Sequence, residues 1–233
     1  VIIDAVRTPG GRRNGRLKDQ HPASLAGHVL KAIAERNHLD PAIVDDVVMG
    51  CVMQVGPQSI NVARNAVLSA GWPESVPGTT VDRQCGSSQQ AMHFAAQGVM
   101  AGAYDVVIAA GVEVMSKVPM GASIVKGMDF PFSKEHQERY KDTGLPPQGI
   151  GADMIADEWN ISREDLDAFG ALSQQRAEAA RDSGRFANEI VPVTVVDPDG
   201  NEIVVKDDEG IRPGTTAEIL SGLKPAFQEN GRI

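Results

Sequence analysis

Residues 79–91 read TTVDRQCGSSQQA, a stretch that predicts a short strand, a tight turn and the start of a helix in succession. Thr79–Asp82 is a short extended segment with β-branched residues, which favour strands. From Gly86 to about Gly102 the chain is made mostly of small residues and predicts a helix. Cys85 falls between the two elements, so we expect its thiol at the N-terminus of that helix.

The same alternation of short apolar runs and amphipathic segments continues on both sides of Cys85. Val1–Val6 predicts a buried strand, Val47–Met53 a second strand and Val106–Ala110 an apolar strand. Two segments, from Ser24 to about Arg36 and over residues 60–70, have apolar residues at helical spacing. This order predicts an α/β fold with a parallel or mixed sheet and helices on its faces.

The character of the sequence changes near Pro119. Residues 120–148 are rich in Gly, Pro, Met and charge, which is typical of a loop or of a crossover between domains. Ile150–Trp159 predicts a helix, and Ser162 with Asp165 resembles a capping box that opens a long helix to about Ser183. Two further strands, at 191–196 and 202–206, flank a strong turn signal, DPDG. The pattern thus leaves a long loop and a crossover between domains as the two interpretations of residues 120–148.

Composition excludes several classes of function. The chain has 233 residues, of which 42% are hydrophobic and 23% charged, values typical of a soluble globular protein. Its formal net charge of -9 argues against a nucleic-acid partner and against electrostatic docking to a membrane. No apolar run is long enough to span a bilayer, no secretory signal is visible, and two cysteines do not make a disulfide scaffold. These features predict a cytoplasmic protein.

The position expected for Cys85 suits covalent chemistry. Free backbone N–H groups and the positive end of the helix dipole stabilise a thiolate, and the same groups can hold an oxyanion. A lone cysteine is more often a buried structural residue, but the strand–Cys–Gly–helix context favours a nucleophile. Cys51 lies inside a predicted strand, and core packing is the better interpretation for it.

No general base for Cys85 can be recognised from the sequence. His93 lies eight residues further along the same predicted helix, roughly 12 Å along its axis, which is too far for a hydrogen bond. The other four of the five histidines have no visible link to Cys85 and are interpreted as surface or packed residues. No cluster of residues with the spacing of metal ligands is present, so no metal site is predicted.

The segment around Cys85 resembles the nucleophile motif of the thiolases. Four other stretches resemble thiolase motifs in the same order along the chain: VIIDAVRTPG at 1–10, GCVMQVG at 50–56, NVAR at 61–64 and GVEVMS at 111–116. The likeness extends over the whole chain. Several motifs in the right order are far more specific than a lone Cys-Gly pair.

The resemblance implies a thiolase-type layered α/β core with an inserted α+β loop domain that holds CoA. It implies that residues 1–119 are the N-terminal core domain, that residues 120–233 are the loop domain, and that the C-terminal thiolase domain is absent from this chain. In the family, that second half carries an Asn-Glu-Ala-His motif, whose His activates the nucleophile, and a second Cys beside glycines that shuttles a proton. Neither motif occurs here, so we expect a fragment without the full catalytic set.

The resemblance also implies roles for particular residues. Cys85 becomes the acylated nucleophile, and its backbone N–H becomes one oxyanion donor. The stretch Glu209–Gly214 is similar to the part of the family that reaches the CoA nucleotide, which implies that Arg212 lies at adenine or phosphate. The pantetheine arm would lie beside Ile219, Leu223 and Phe227. By pattern alone, a surface arginine and three core residues are the commoner interpretations.

One departure from the family concerns Pro147-Gln148-Gly149, where many short-chain thiolases have His-Met-Gly. The resemblance places Gln148 at the substrate site, so the acyl pocket is expected to have a different shape. A bulkier or longer acyl group is therefore a hypothesis.

The implied activity is reversible thiolysis of a 3-ketoacyl-CoA, or the reverse Claisen condensation, through an acyl-cysteine on Cys85. CoA would be a substrate, no cofactor would be bound permanently, and fatty acid β-oxidation is the implied context. The family implies a homodimer or homotetramer. Three alternatives stay open: a ketoacyl synthase, which the long insert disfavours; a non-catalytic acyl-CoA binding module; and a redox switch that pairs Cys51 with Cys85.

Overall fold

The computed structural model describes all residues, Val1–Ile233, and they form two compact units. The first unit comprises Val1–Gly127 and Ala187–Gly210. The second comprises Met128–Phe186 and Ile211–Ile233. All strands of the protein lie in the first unit, and the second unit is helical.

The first unit contains a three-stranded parallel sheet. Its strands are β1 (Asp46–Gly50), β2 (Gly78–Val81) and β3 (Val107–Gly111), in the order β2-β1-β3. Every residue of the central strand β1 is buried, as expected for a parallel strand with helices on its faces. The α/β prediction is confirmed.

Three helices accompany this sheet: α1 (Pro22–Arg36), α2 (Val62–Ser69) and α3 (Ser87–Met100). The main core is made of apolar residues from α1, α2 and β1, such as Leu30, Val67 and Met49. Helix α1 begins two residues before the predicted Ser24, because Pro tolerates the first helical turn and His21 supplies the cap. The Nδ1 atom of His21 accepts a hydrogen bond from the N–H of Ala23 (3.3 Å).

The prediction of a buried strand over Val1–Val6 is wrong. The first three residues, Val1, Ile2 and Ile3, are exposed. Only Arg7, just beyond the segment, forms a bridge, with Ile190, and its N–H donates to the carbonyl of Glu189 (2.8 Å). An apolar run becomes a strand only where a neighbour pairs with its backbone groups, and no strand in the structure pairs with residues 1–6.

The first unit also includes an antiparallel hairpin of β4 (Val193–Val196) and β5 (Glu202–Val205). The DPDG turn lies between them as predicted, and Asp197 Oδ1 accepts from the N–H groups of Asp199 (2.9 Å) and Asn201 (2.8 Å). Just after β5, the carboxylate of Asp208 accepts two hydrogen bonds from Arg7, at 2.7 and 3.0 Å. These bonds attach the hairpin segment to the N-terminal loop.

The second unit contains α4 (Lys134–Arg139), α5 (Gln148–Glu158), α6 (Arg163–Asp182) and α7 (Ala217–Ser221). The predicted capping box of Ser162 and Asp165 at the start of α6 is confirmed. Helix α4 lies inside the segment that we interpreted as a loop. It has only six residues, too short for a clear apolar period.

The predicted boundary between residues 119 and 120 stays a prediction, although residues 187–210 group with the first unit. That grouping could not be expected from the sequence, because it depends on long-range bonds such as that of Arg7 with Asp208. None of the helices combines the length and the apolar character that are needed to cross a lipid bilayer.

Candidate active site

The carboxyl ends of the three parallel strands lie together at one edge of the sheet. The strand register places Gly50, the last residue of β1, beside Val81 of β2 and Gly111 of β3. Ligands of open α/β sheets commonly bind outside this edge. The turn that follows Val81 carries Cys85, so the candidate nucleophile lies where a site is expected.

The turn before α3 has an unusual backbone conformation at Gln84. Its φ is +47°, in the left-handed region that few residues other than glycine adopt. The N–H of Gln84 donates to Oδ1 of Asp82 (2.7 Å), and the N–H of Gly86 donates to the carbonyl of Arg83 (3.0 Å). The result is a tight turn in which Cys85 is exposed to solvent.

Helix α3 begins at Ser87, with Gly86 as its N-cap and with no side-chain capping bond. Cys85 precedes the cap by one residue, close to the N-terminus predicted from the sequence. The first N–H groups of a helix lack intrahelical partners, and the helix dipole favours negative charge there. This position suits a sulfur nucleophile and the oxyanion of an attacked carbonyl.

Two glycines at strand ends allow α3 to approach the sheet edge closely. A β-carbon on Gly50 would lie 2.7 Å from Cα of Ser88, and one on Gly111 would lie 3.0 Å from Cβ of Ser88. Real β-carbons do not approach backbone atoms as closely as 2.7 Å, and a β-carbon on Gly111 would also collide with Oγ of Ser88. The helix that follows Cys85 can therefore begin against the sheet edge only because these two positions carry no side chain.

A polar network joins the segments that follow β1 and β3. Nε2 of Gln58, a fully buried residue, donates to Oε1 of Glu113 (2.7 Å), and Oε1 of Gln58 accepts from the N–H of Val114 (2.8 Å). The second carboxylate oxygen of Glu113 accepts from the N–H of Val52 (2.9 Å). These satisfied polar groups hold the two loops beside the candidate site in a fixed arrangement.

Cys51 lies in the core, as interpreted from the sequence, and is only 1% exposed. Burial, together with the negative charges of Glu113 and Asp82, raises the pKa of Cys51 to about 12. Its thiol therefore stays protonated at neutral pH and is not a nucleophile. Because it is covered, it is also a poor partner for a redox switch with Cys85.

None of the five histidines makes a hydrogen bond to Cys85. They serve elsewhere: His21 caps α1, His28 bonds to the carbonyl of Pro192, His136 packs between two aromatic rings, and His38 and His93 are exposed. The structure thus agrees with the sequence in offering no imidazole base to Cys85.

The second unit contains the residues to which the resemblance assigns CoA and substrate contacts. Gln148 is the first residue of α5. The ring of Phe227 lies directly against the next residue, Gly149, where a β-carbon would collide with the ring atoms. The structure therefore brings Phe227 and the start of α5 together.

The apolar residues Ile219, Leu223 and Phe227 are 61%, 56% and 53% exposed. The core interpretation of their spacing is therefore wrong. They also do not share one helix, since α7 ends at Ser221. Arg212 is exposed, and its backbone N–H donates to Oε1 of Gln174 (2.8 Å). The ligand contacts of all four residues stay predictions.

Sequence reasoning missed several residues that shape the Cys85 turn. They are Asp82, Gln84 and Ser87 within the turn, and Gly50 and Gly111 at the strand ends. A signal was present for Gly111, because it directly follows the predicted strand Val106–Ala110. Gly50 lies inside the predicted strand Val47–Met53, which in the structure ends at Gly50. No sequence signal indicated the left-handed conformation at Gln84, which is not a glycine.

The fold and the turn define an α/β protein that presents an exposed cysteine between a parallel strand and a helix. The family profile described as "Thiolase, N-terminal domain" matches residues 1–233. The chain belongs to the thiolase family.

Curated relatives agree with this assignment. The steroid 3-ketoacyl-CoA thiolase FadA6 of Mycobacterium tuberculosis is 43% identical over 238 residues, covering 100% of this chain and 56% of its own length. The 3-ketoacyl-CoA thiolase of Pseudoalteromonas translucida is 44% identical, over 97% of this chain and 57% of its own length. That of Serratia proteamaculans is also 44% identical, over 100% and 59%. The chain thus spans less than two thirds of the length of these relatives.

Proposed function

We propose that this chain supplies the nucleophile and part of the CoA site of a thiolase that cleaves 3-ketoacyl-CoA with CoA, or runs the reverse Claisen condensation. The observation that carries the proposal is the exposed Cys85 one residue before the N-cap of α3. Relatives that match nearly the whole chain are named 3-ketoacyl-CoA thiolases.

In the proposed reaction, the sulfur of Cys85 attacks the 3-keto carbon of the substrate. The carbonyl oxygen becomes an oxyanion, for which the backbone N–H of Cys85 is one donor. Cleavage of the bond between carbons 2 and 3 leaves the shortened acyl group on sulfur and releases acetyl-CoA after protonation. The thiolate of a second CoA then attacks the thioester and frees Cys85.

Proton transfer needs groups beyond Cys85. In the family, the nucleophile is activated by a histidine, and a second cysteine moves the other proton. Neither motif occurs in these residues, and none of the histidines present bonds to Cys85. We therefore propose that this chain carries the acyl group on Cys85, and we do not assign the proton transfers to it.

We assign CoA contacts to the second unit. An exposed guanidinium such as that of Arg212 can stack on adenine or pair with a phosphate. Ile219, Leu223 and Phe227 are apolar yet exposed, which suits contact with a pantetheine arm. Gln148 directly precedes Gly149, which lies against the ring of Phe227. This neighbourhood supports the proposal that Gln148 and Phe227 belong to the same part of the site.

The acyl group is proposed to be bulkier or longer than that of a short-chain thiolase. This chain has Pro147-Gln148-Gly149 where many short-chain enzymes have His-Met-Gly. A relative at 43% identity is named a steroid 3-ketoacyl-CoA thiolase, which supports a large substrate. A clear preference for acetoacetyl-CoA over long-chain 3-ketoacyl-CoA would contradict it.

We further propose CoA as a substrate, no permanently bound cofactor or metal, and a role in fatty acid β-oxidation. A homodimer or homotetramer is proposed from the family alone, and a cytoplasmic location from the two cysteines and the lack of a recognisable secretory signal in these residues. The acidic net charge of -9 supports the absence of nucleic-acid and membrane partners.

The function is tested by thiolysis of 3-ketoacyl-CoA in the complete natural polypeptide that contains these residues. Cys85→Ser is expected to lower kcat/KM at least about 1,000-fold, because an alcohol replaces the thiol. The matched variant Cys51→Ser, at the buried cysteine, is expected to keep the activity. If the wild type binds CoA without thiolysis, the chain belongs to a non-catalytic acyl-CoA binding module instead.

A further inference from the structure

We propose that the Ser87 hydroxyl is a positioning group for Cys85, because it holds the left-handed turn at Gln84 closed and so fixes where the sulfur lies. The inference rests on the proposed function, since it concerns how the proposed nucleophile is presented. Ser87 itself is buried, at 4% exposure. It would therefore act through Cys85, as a positioning residue.

The hydroxyl of Ser87 makes two hydrogen bonds, and both go backward into the turn. Its oxygen accepts from the N–H of Arg83 (2.9 Å), and its O–H donates to the carbonyl of Gln84 (2.6 Å). The N–H of Ser87 donates to the same carbonyl at 3.0 Å. Arg83 and Gln84, the two residues that precede Cys85, are thus tied to one buried side chain that follows it.

This pattern differs from that of serines at other helix starts in the protein. Ser133 and Ser162 are N-caps, and each accepts a hydrogen bond from an N–H of the helix that it opens. Ser87 instead follows the N-cap Gly86, and its hydroxyl satisfies no N–H of α3. Its bonds therefore stabilise the turn that contains Cys85 and do not cap the helix.

The turn needs such bonds because of Gln84. A residue with a β-carbon is strained at a φ of +47°, and strain of this kind persists only where the surroundings fix it. Asp82 holds the N–H of Gln84 (2.7 Å), and Ser87 holds its carbonyl. Without the hydroxyl, Gln84 is expected to relax toward ordinary φ values and to carry Cys85 away from its place ahead of α3.

The test compares Ser87→Ala with the wild type in the complete natural polypeptide, using transfer of the acetyl group from acetyl-CoA to Cys85. Because displacements of about 1 Å can slow a reaction about 100-fold, the maximal rate is expected to fall by about 10- to 100-fold. The half-saturating concentration of acetyl-CoA should stay within about twofold, since the hydroxyl does not contact CoA. Ser87→Thr, which keeps the hydroxyl, should restore most of the rate.

Ser162→Ala is the matched control, because it removes a serine hydroxyl from a helix start in the other unit. It should lower the melting temperature comparably and leave the acetylation rate unchanged. A Ser87→Ala rate within twofold of wild type, or an equal loss in Ser87→Thr, overturns the proposal.

A second measurement does not depend on the variants folding or on catalysis. Amide hydrogen exchange in the unmodified protein should show the N–H of Arg83 protected, because it donates to Ser87. Free exchange of that N–H contradicts the positioning role. If the wild type is not acetylated but Arg83 is protected, the proposed function fails while the assignment of the turn stands.

Discussion

The backbone of Ser88 fills the space that a side chain on Gly50 would need. A β-carbon on Gly50 would lie 2.7 Å from Cα of Ser88, although the two residues are far apart in the sequence. The end of the central strand and the start of the helix after Cys85 are therefore in direct contact. Only glycine at position 50 allows this contact.

Gly50→Ala is expected to destabilise the protein by about 1–3 kcal/mol, because the added methyl group must displace the backbone of α3. Urea unfolding followed by circular dichroism measures the change. Gly151→Ala is the matched control: no atom lies within 4 Å of its β-carbon position, and alanine favours a helix. Equal stability of the two variants would contradict the close contact.

The two cysteines are expected to differ sharply in reactivity. Iodoacetamide should modify the exposed Cys85 in the native protein and leave the buried Cys51 unmodified. Both should react after unfolding in urea. Peptide mass mapping identifies the modified residue, and rapid native modification of Cys51 would contradict its burial.

The raised pKa of Cys51 also predicts a loss of stability in alkali. An unfolded chain releases the thiol proton near the ordinary pKa of 9.0, whereas the native chain holds it up to a pKa of about 12. The native state should therefore lose stability relative to the unfolded state as the pH rises from 9.0 toward 12. Urea unfolding across this range, with Cys51→Ala for comparison, should show a smaller alkaline loss in the variant.

The attachment of the hairpin segment to the N-terminal loop is expected to depend on Asp208. Asp208→Ala should lower the free energy of unfolding by about 1–2 kcal/mol at neutral pH, because the bonds from Arg7 and from the N–H of Gly10 are lost. The neighbouring Asp207→Ala should change little, since Asp207 is exposed. Urea unfolding curves of the two variants measure the difference.

The contribution of Asp208 should also depend on pH. The hydrogen bond from Arg7 is the main cause that lowers the pKa of Asp208 below its ordinary 3.8. The stabilisation is therefore present above pH 3.8 and is lost as the pH falls through the lower native pKa. The difference between wild type and Asp208→Ala should shrink in acid, and a constant difference would contradict the role of the ionised carboxylate.

Gly149→Ala is expected to weaken CoA binding, because the added methyl group must push the ring of Phe227 aside. Isothermal titration with CoA should show a Kd raised about 3- to 10-fold, equivalent to about 1 kcal/mol. Gly151→Ala, two residues further along α5, should leave the Kd unchanged. Unchanged affinity in Gly149→Ala would remove Phe227 from the proposed site.

The strand–turn–helix unit around Cys85 could be predicted because its signals are local. β-branched residues favour the strand β2, Gly86 marks the turn before the helix, and the small residues that follow it favour the helix α3. The capping box of Ser162 is local in the same sense, and its prediction was also correct.

The failures concern contacts between distant parts of the chain. Val1–Val6 has a strand-like sequence, but pairing depends on a neighbour that the segment itself does not specify. Similarly, the close approach of Ser88 to Gly50 and the attachment of Asp208 to Arg7 join distant residues. The left-handed turn at Gln84 was missed because residues other than glycine rarely adopt it.

The proposed function requires that Cys85 carries the acyl group. We would measure the intact mass of the complete natural polypeptide after mixing with acetyl-CoA or acetoacetyl-CoA, in the wild type and in Cys85→Ala. The wild type should gain one acetyl group that maps to Cys85, and the variant should gain none. No adduct on the wild type, or an adduct that persists in Cys85→Ala, would contradict the proposed function.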